Sequence, residues 1–257
     1  MWSYCVSYVA NTGMMMNAPE NTLIAALASA GINLAIALPF VLVAWRQADR
    51  SNLRWLGWLA GLYALDWFVL MLPHYGPFAR LGWNWQGKVL EIALPLLFAA
   101  FVPGMSLSVI GVRWRPASRV ASIMLYSALA VLAVIAVIVL RQGSGIDRET
   151  FLFELTMPGL GEEIVYRGVI QSLFNQVWER PIHVLGAPIG WGYGLTLLLF
   201  TTGHGLAVMP GLHLRFSLAA MLPAFVFGAV LGWVRESTNS VWPGVVIHNI
   251  VDVASFL

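Results

Sequence analysis

The sequence predicts an all-α polytopic membrane protein, a bundle of about eight transmembrane helices, and three observations carry that prediction. Of 257 residues, 59% are hydrophobic and only 10% are charged, against roughly 25% charged in soluble domains. The apolar residues fall in stretches close to the roughly twenty that a bilayer core demands of a helix. Trp45, Trp55, Trp114, Trp178, Trp191, Trp233 and Trp242 lie at or near the ends of those stretches, where an interfacial belt belongs.

The candidate helices run from Leu23 to Trp45, Leu53 to Leu72, Lys88 to Val102, Val120 to Leu140, Phe151 to Trp178, Trp191 to Met209, Phe216 to Val234 and Val241 to Leu257. The third and eighth are short. No polar interval is long enough for a soluble second domain, so residues 1–257 are expected to form one helical membrane domain. The segment from Met1 to Thr22 holds no Lys or Arg and does not read as a cleaved signal peptide, which leaves the first helix as its own address. A multi-pass location in the cell membrane follows.

Basic residues set the expected orientation. Arg46, Arg50, Arg54, Arg113, Arg115, Arg119, Arg180 and Arg235 occupy alternate loops, against Arg80, Lys88, Arg141, Arg148 and Arg215 opposite, which favours the first set as cytoplasmic and both termini as outside. A net charge of +2 with scattered basic residues offers no nucleic-acid surface. The single Cys5 excludes an internal disulfide and a cysteine-rich metal site. Gly57-x-x-x-Gly61 and Gly228-x-x-x-Gly232 read as close-packing devices between helices.

Polar residues inside the later helices, within about 151–257, mark the functional region. A charged side chain at the centre of a membrane helix costs about 2.5 to 3.5 kcal/mol, and Glu162, Glu163 and Arg167 stand together in the fifth. Residues four apart share a face, so Glu163 pairs with Arg167 while Glu162 faces elsewhere with Tyr166. Glu162 is then left over, suited to take and return a proton. Phe200 and His204 lie one turn apart in the sixth helix, and His248 and Asp252 one turn apart in the eighth.

A carboxylate and an imidazole converging on one water make a general base, and a second imidazole can donate to an oxyanion. That describes hydrolysis of an amide without a covalent intermediate. Zinc held by Glu162, His204 and His248 is the alternative use of the same groups. Other protease signatures are missing: there is no H-E-x-x-H, no Gly-x-Gly-Asp, and Ser106 lacks the glycine that would follow a serine nucleophile. Tyr166 and Phe200 read as packing around the polar groups. Asp66, Glu91 and Lys88 read as helix–helix bonding or interfacial snorkelling. His183 and His213 read as solvated loop residues, and Asn175 and Gln176 as the polar end of the fifth helix.

These residues resemble the CPBP family of intramembrane peptidases, which includes the type II CAAX prenyl endopeptidases and bacteriocin-processing or immunity proteins. The family's signatures E-E-x-x-x-R, F-x-x-x-H and H-x-x-x-N read here Glu162-Glu163-x-x-x-Arg167, Phe200-x-x-x-His204 and His248-x-x-x-Asp252. The resemblance covers about the last hundred residues. It implies that Glu162 and His204 activate the attacking water, that His248 and residue 252 stabilise the oxyanion, and that Glu163 and Arg167 support them. The implied substrate is a membrane-associated peptide or protein, lipidated in some relatives. Asp252 departs from the family's Asn: an ionised carboxylate accepts hydrogen bonds and cannot donate one. A non-catalytic membrane protein, with the same cluster lining an ion or proton path or binding a partner, is the competing expectation.

Overall fold

Each of the eight apolar stretches contains helix in the computed structural model, which describes residues 19–113, 118–142, 146–209 and 211–256. Cys5, Trp114, Arg115 and Leu257 fall outside the described residues. The helices are α1 (Pro19–Ala44), α2 (Arg54–Leu70), α3 (Trp85–Phe101), α4 (Arg119–Gln142), α5 (Arg148–Glu162), α6 (Gln171–Val177), α7 (Trp191–Gly205), α8 (Leu218–Thr238) and α9 (Trp242–Ala254). Among the described residues, three segments suffice by length and composition to cross a membrane: Asn21–Gln47, Arg119–Arg141 and Leu218–Thr238. The result is an all-α fold of membrane type.

Local chemistry sets the helix starts. Asn84 accepts from the Gly87 amide, Asp147 from the Thr150 amide and Ser217 from the Ala220 amide, each a side chain of the type that satisfies the unpaired N–H groups of a first turn. Asn239, at φ 50°, ends α8 in the left-handed region, which Asn tolerates better than most residues.

The fifth stretch is not one regular helix. Between α5 and α6 the chain winds as a π-helix over Glu163–Ile170, a widened turn that recurs at functional sites. Two antiparallel hairpins also replace expected helix or loop. Strands β1 (Ile182–Val184) and β2 (Ala187–Ile189) form the first; β3 (Leu206–Met209) and β4 (His213–Phe216) form the second. The sixth helix therefore stops at Gly205 rather than Met209, and the seventh starts at Leu218 rather than Phe216. His183 and His213 are exposed strand residues, not loop residues. The reason is period: His213-Leu214-Arg215-Phe216 alternates polar and apolar, which suits a strand and not a helix, and Gly211 at φ 93° supplies the turn.

The tryptophans stand at element ends, but several act as staples between neighbours. Trp178 donates to the Ala44 carbonyl, Trp191 to Gln47, Trp233 to the Val184 carbonyl and Trp242 to the Arg113 carbonyl. Trp55 and Trp178 are buried, so neither is a lipid-facing belt residue. These bonds gather Arg46, Arg50, Arg113 and Arg180 at one end of the bundle, the end shared by the first basic set. Arg235 belongs to the same end but is buried, holding the carbonyls of Val109 and Arg167; it is not a loop charge.

The main core joins α1, α2, α3, the π-helical turn, α6 and α7 through residues such as Tyr63, Trp67, Phe98, Tyr166, Phe174 and Phe200. Gly228 and Gly232 face Phe200 and Tyr193 of α7, where an added Cβ would come within 2.7 and 2.9 Å of those rings. That pair is a packing device as expected. Gly57 and Gly61 are not: a Cβ at either would meet nothing within 4 Å.

Candidate active site

The site forms where α3, α5, α7, α8 and α9 approach one another. Glycine makes the approach possible. At Gly159 a Cβ would lie 2.5 Å from both Asn249 Oδ1 and the Val245 carbonyl, and at Gly161 it would run into the Glu91 carboxylate. Asn249 Oδ1 accepts from the Gly159 amide at 2.9 Å, which locks α9 onto α5 one turn before the glutamate pair.

Glu162 is 2% exposed, and its two oxygens face different neighbours. Oε1 takes the Lys88 ammonium at 3.0 Å. Among the described residues Oε2 has no hydrogen-bond partner; it stands 3.6 Å from His204 Nε2 and 3.8 Å from His248 Nε2, beyond hydrogen-bond length to either. Glu163, fully buried, turns Oε1 to His248 Nδ1 at 3.0 Å and Oε2 to Arg167 Nε at 3.5 Å. The two glutamates thus flank one imidazole.

His204 Nδ1 lies 2.7 Å from the Phe200 carbonyl. A carbonyl only accepts, so Nδ1 carries the hydrogen, and in the neutral ring Nε2 presents its lone pair toward Glu162. His248 Nδ1 faces the Glu163 carboxylate, and its Nε2 lies between Glu162 and Asp252 Oδ2, the latter at 3.7 Å. Arg167 also donates to the Gly228 carbonyl at 3.2 Å, and its guanidinium stacks 3.9 Å above the Phe200 ring, which in turn packs on His204 with ring centres 4.3 Å apart. Tyr166 meets Phe200 edge-on.

A cavity of about 110 Å³ opens onto these groups, lined by Pro158, Glu162, Phe200, His204, Ala220, Pro223, Phe227, His248 and Asp252 among others. That is room for several waters, each occupying about 30 Å³ in the liquid. Glu162 and Asp252 line it, and among the described residues neither Glu162 Oε2 nor Asp252 Oδ2 has a hydrogen-bond partner.

The structure brings together Glu162, His204, His248 and Asp252, with Glu163, Arg167, Tyr166 and Phe200 packed around them. One sequence expectation is corrected and one is narrowed. Glu162 is not left over, because Lys88 pairs with it; and of the two readings for Lys88 the helix–helix bond holds and snorkelling does not, since it is 4% exposed and bridges Glu162 to Glu91 Oε2 at 2.9 Å. Sequence spacing cannot show a pair formed between helices 74 residues apart. The available signal was Lys88 and Glu91 one turn apart in an otherwise apolar helix. Among the described residues no group of three His, Cys, Asp or Glu side chains is disposed to hold a metal ion, and the Lys88 ammonium occupies Glu162 Oε1.

Residues 149–254 match one family model, described as type II CAAX prenyl endopeptidase Rce1-like. No curated protein and no solved structure matches the chain.

Proposed function

From the premise that residues 149–254 are an Rce1-like domain of the CPBP intramembrane peptidases, we propose that this protein hydrolyses a membrane-associated peptide by direct attack of an activated water. The domain supports an intramembrane endopeptidase of CAAX type acting on a membrane-associated protein; the residue roles, the prenylated substrate and a multi-pass placement in the cell membrane are the finer reading. One observation carries it: Glu162, whose Oε2 stands between two imidazole Nε2 atoms with no hydrogen-bond partner among the described residues, lines a cavity large enough for water.

In this reading Glu162 Oε2 and the lone pair of His204 Nε2 take the proton of a water held between them. Lys88 fixes the carboxylate so that only Oε2 meets the water. His248, as an imidazolium whose Nδ1–H is held by Glu163, turns its Nε2–H toward the oxyanion as the tetrahedral intermediate forms. Asp252 orients that Nε2. Glu162 then returns the proton to the leaving amine, so no bond to the enzyme is made. Arg167 keeps Glu163 in place from the other side.

The test compares the membrane proteomes of cells carrying wild-type protein and Glu162→Gln, each with and without a chelator. Substrates of the wild type should accumulate uncut in the variant, and the chelator should leave cleavage intact. Identical proteomes would overturn the reading.

A further inference from the structure

Among the described residues, the hairpin β3–β4 has one edge finished and one edge bare. Toward α1, the Val208 amide donates to Ser29 Oγ at 2.8 Å, Ser29 Oγ donates to the Val208 carbonyl at 3.1 Å, and Asn33 Nδ2 donates to the Leu206 carbonyl at 3.2 Å. Two buried side chains thus satisfy the backbone of β3. Along β4 no described residue bonds the outward N–H and C=O groups of His213–Phe216. The register places Leu214 opposite Val208 and Phe216 opposite Leu206, so all four share one face. Val208 is buried under α1, whereas Leu214 and Phe216 remain exposed.

Depth makes the bare edge costly. Helix α7 starts at Trp191, bonded to Gln47 at the basic end of the bundle, and has 15 residues. At 1.5 Å per residue that is about 22 Å, short of a hydrocarbon core of about 30 Å. With the basic end taken as one membrane surface, the hairpin begins inside the apolar layer, where an open strand edge facing lipid is not tolerated. It also begins at the site: His204 immediately precedes Gly205, whose carbonyl accepts the Ser217 amide at 2.7 Å, and Ala220, within the next turn, lines the cavity.

We propose that the outer edge of β4 is the substrate's seat: an extended peptide adds to the hairpin as a third strand and holds the bond to be cut over the cavity at His204. The proposal rests on the peptidase reading and names how that site receives its substrate. A helical amide is shielded by its own hydrogen bonds and offers no open carbonyl face; strand addition presents one. Main-chain pairing supplies affinity at any sequence, and the exposed Leu214 and Phe216 favour apolar side chains at alternate positions of the occupant.

The test uses the full chain carrying Cys5→Ser and Glu162→Gln, with Leu214→Cys or Phe216→Cys added. Leu214 and Phe216 are exposed and lie outside the catalytic groups. The ligand is a farnesylated peptide ending in a prenylated cysteine followed by two aliphatic residues and a terminal residue, with one additional cysteine moved position by position along its upstream part. Disulfide formation should alternate along the peptide, several-fold stronger at every second position, and the pattern should move by two positions between the two variants. A flat pattern, or no cross-links, overturns the strand seat. Cleavage by the wild type without alternation overturns the seat alone. Alternation without cleavage by the wild type upholds the seat and overturns the peptidase reading.

Discussion

Replacing Lys88 with methionine removes the ammonium that bridges Glu91 and Glu162 at 2.9 and 3.0 Å. Both acids are buried, so losing the ammonium leaves Glu91 Oε2 and Glu162 Oε1 against an apolar side chain. Breaking a buried ion pair by removing one partner costs about 3 to 5 kcal/mol, and for a chain of this length that lowers the melting temperature by roughly 10 °C. The double variant Lys88→Met/Glu91→Leu should recover much of the loss, because replacing paired charges together with apolar groups is close to neutral. It should not recover cleavage, since Glu162 Oε1 still lacks its tether. The assays are thermal unfolding of the detergent-purified protein and initial cleavage rates on a prenylated peptide. A Lys88→Met protein that melts and cleaves like the wild type would refute the reasoning, for Glu162 would then need no fixed cation.

Three further outcomes follow from the same geometry. Gly161→Ala pushes a Cβ into the Glu91 carboxylate and to 3.2 Å from Lys88 Cδ; it should destabilise the protein by about 1 to 3 kcal/mol and lower cleavage, and wild-type rates would show that α3 and α5 have slack. Asp252→Asn keeps the shape and adds an N–H donor, so its rate should stay close to the wild type, whereas Asp252→Ala should lose roughly a hundredfold; equal losses would show that the charge itself is required. Asp147 caps α5, and hydrogen bonds from Thr150 hold its carboxyl below the ordinary value of 3.8. Its contribution, about 1 kcal/mol by comparison with Asp147→Ala, should be full above pH 3.8 and vanish as the pH falls through the lower folded value; a gap in melting temperature that persists at lower pH would contradict this.

What the sequence could show depended on range. The Glu163–Arg167 pair lies four residues apart within one helical stretch, and the ordered Glu162, His204 and His248 each sat on a separate apolar stretch, so their grouping was legible. Lys88 was not, because its partner lies on another helix and its own helix offered snorkelling as an equally good explanation. The π-helical turn at Glu163–Ile170 left no mark in composition. The β3–β4 hairpin did leave one, in the alternation from His213 to Phe216 and the glycine before it, but an apolar run that continues a helix conceals a change of period until both strands are paired. Gly57 and Gly61 show the reverse: a spacing that packs helices elsewhere faces open space here.

The most direct measurement is the cleavage rate of purified, reconstituted Glu162→Gln against a prenylated peptide, with its melting temperature taken alongside. Lys88 keeps Glu91 as a partner in that variant, so the fold should hold and the melting temperature should stay near the wild type, while the rate should fall by about 10²- to 10⁴-fold, the usual contribution of a general base. A Glu162→Gln protein that melts normally and cleaves at the wild-type rate would contradict the account.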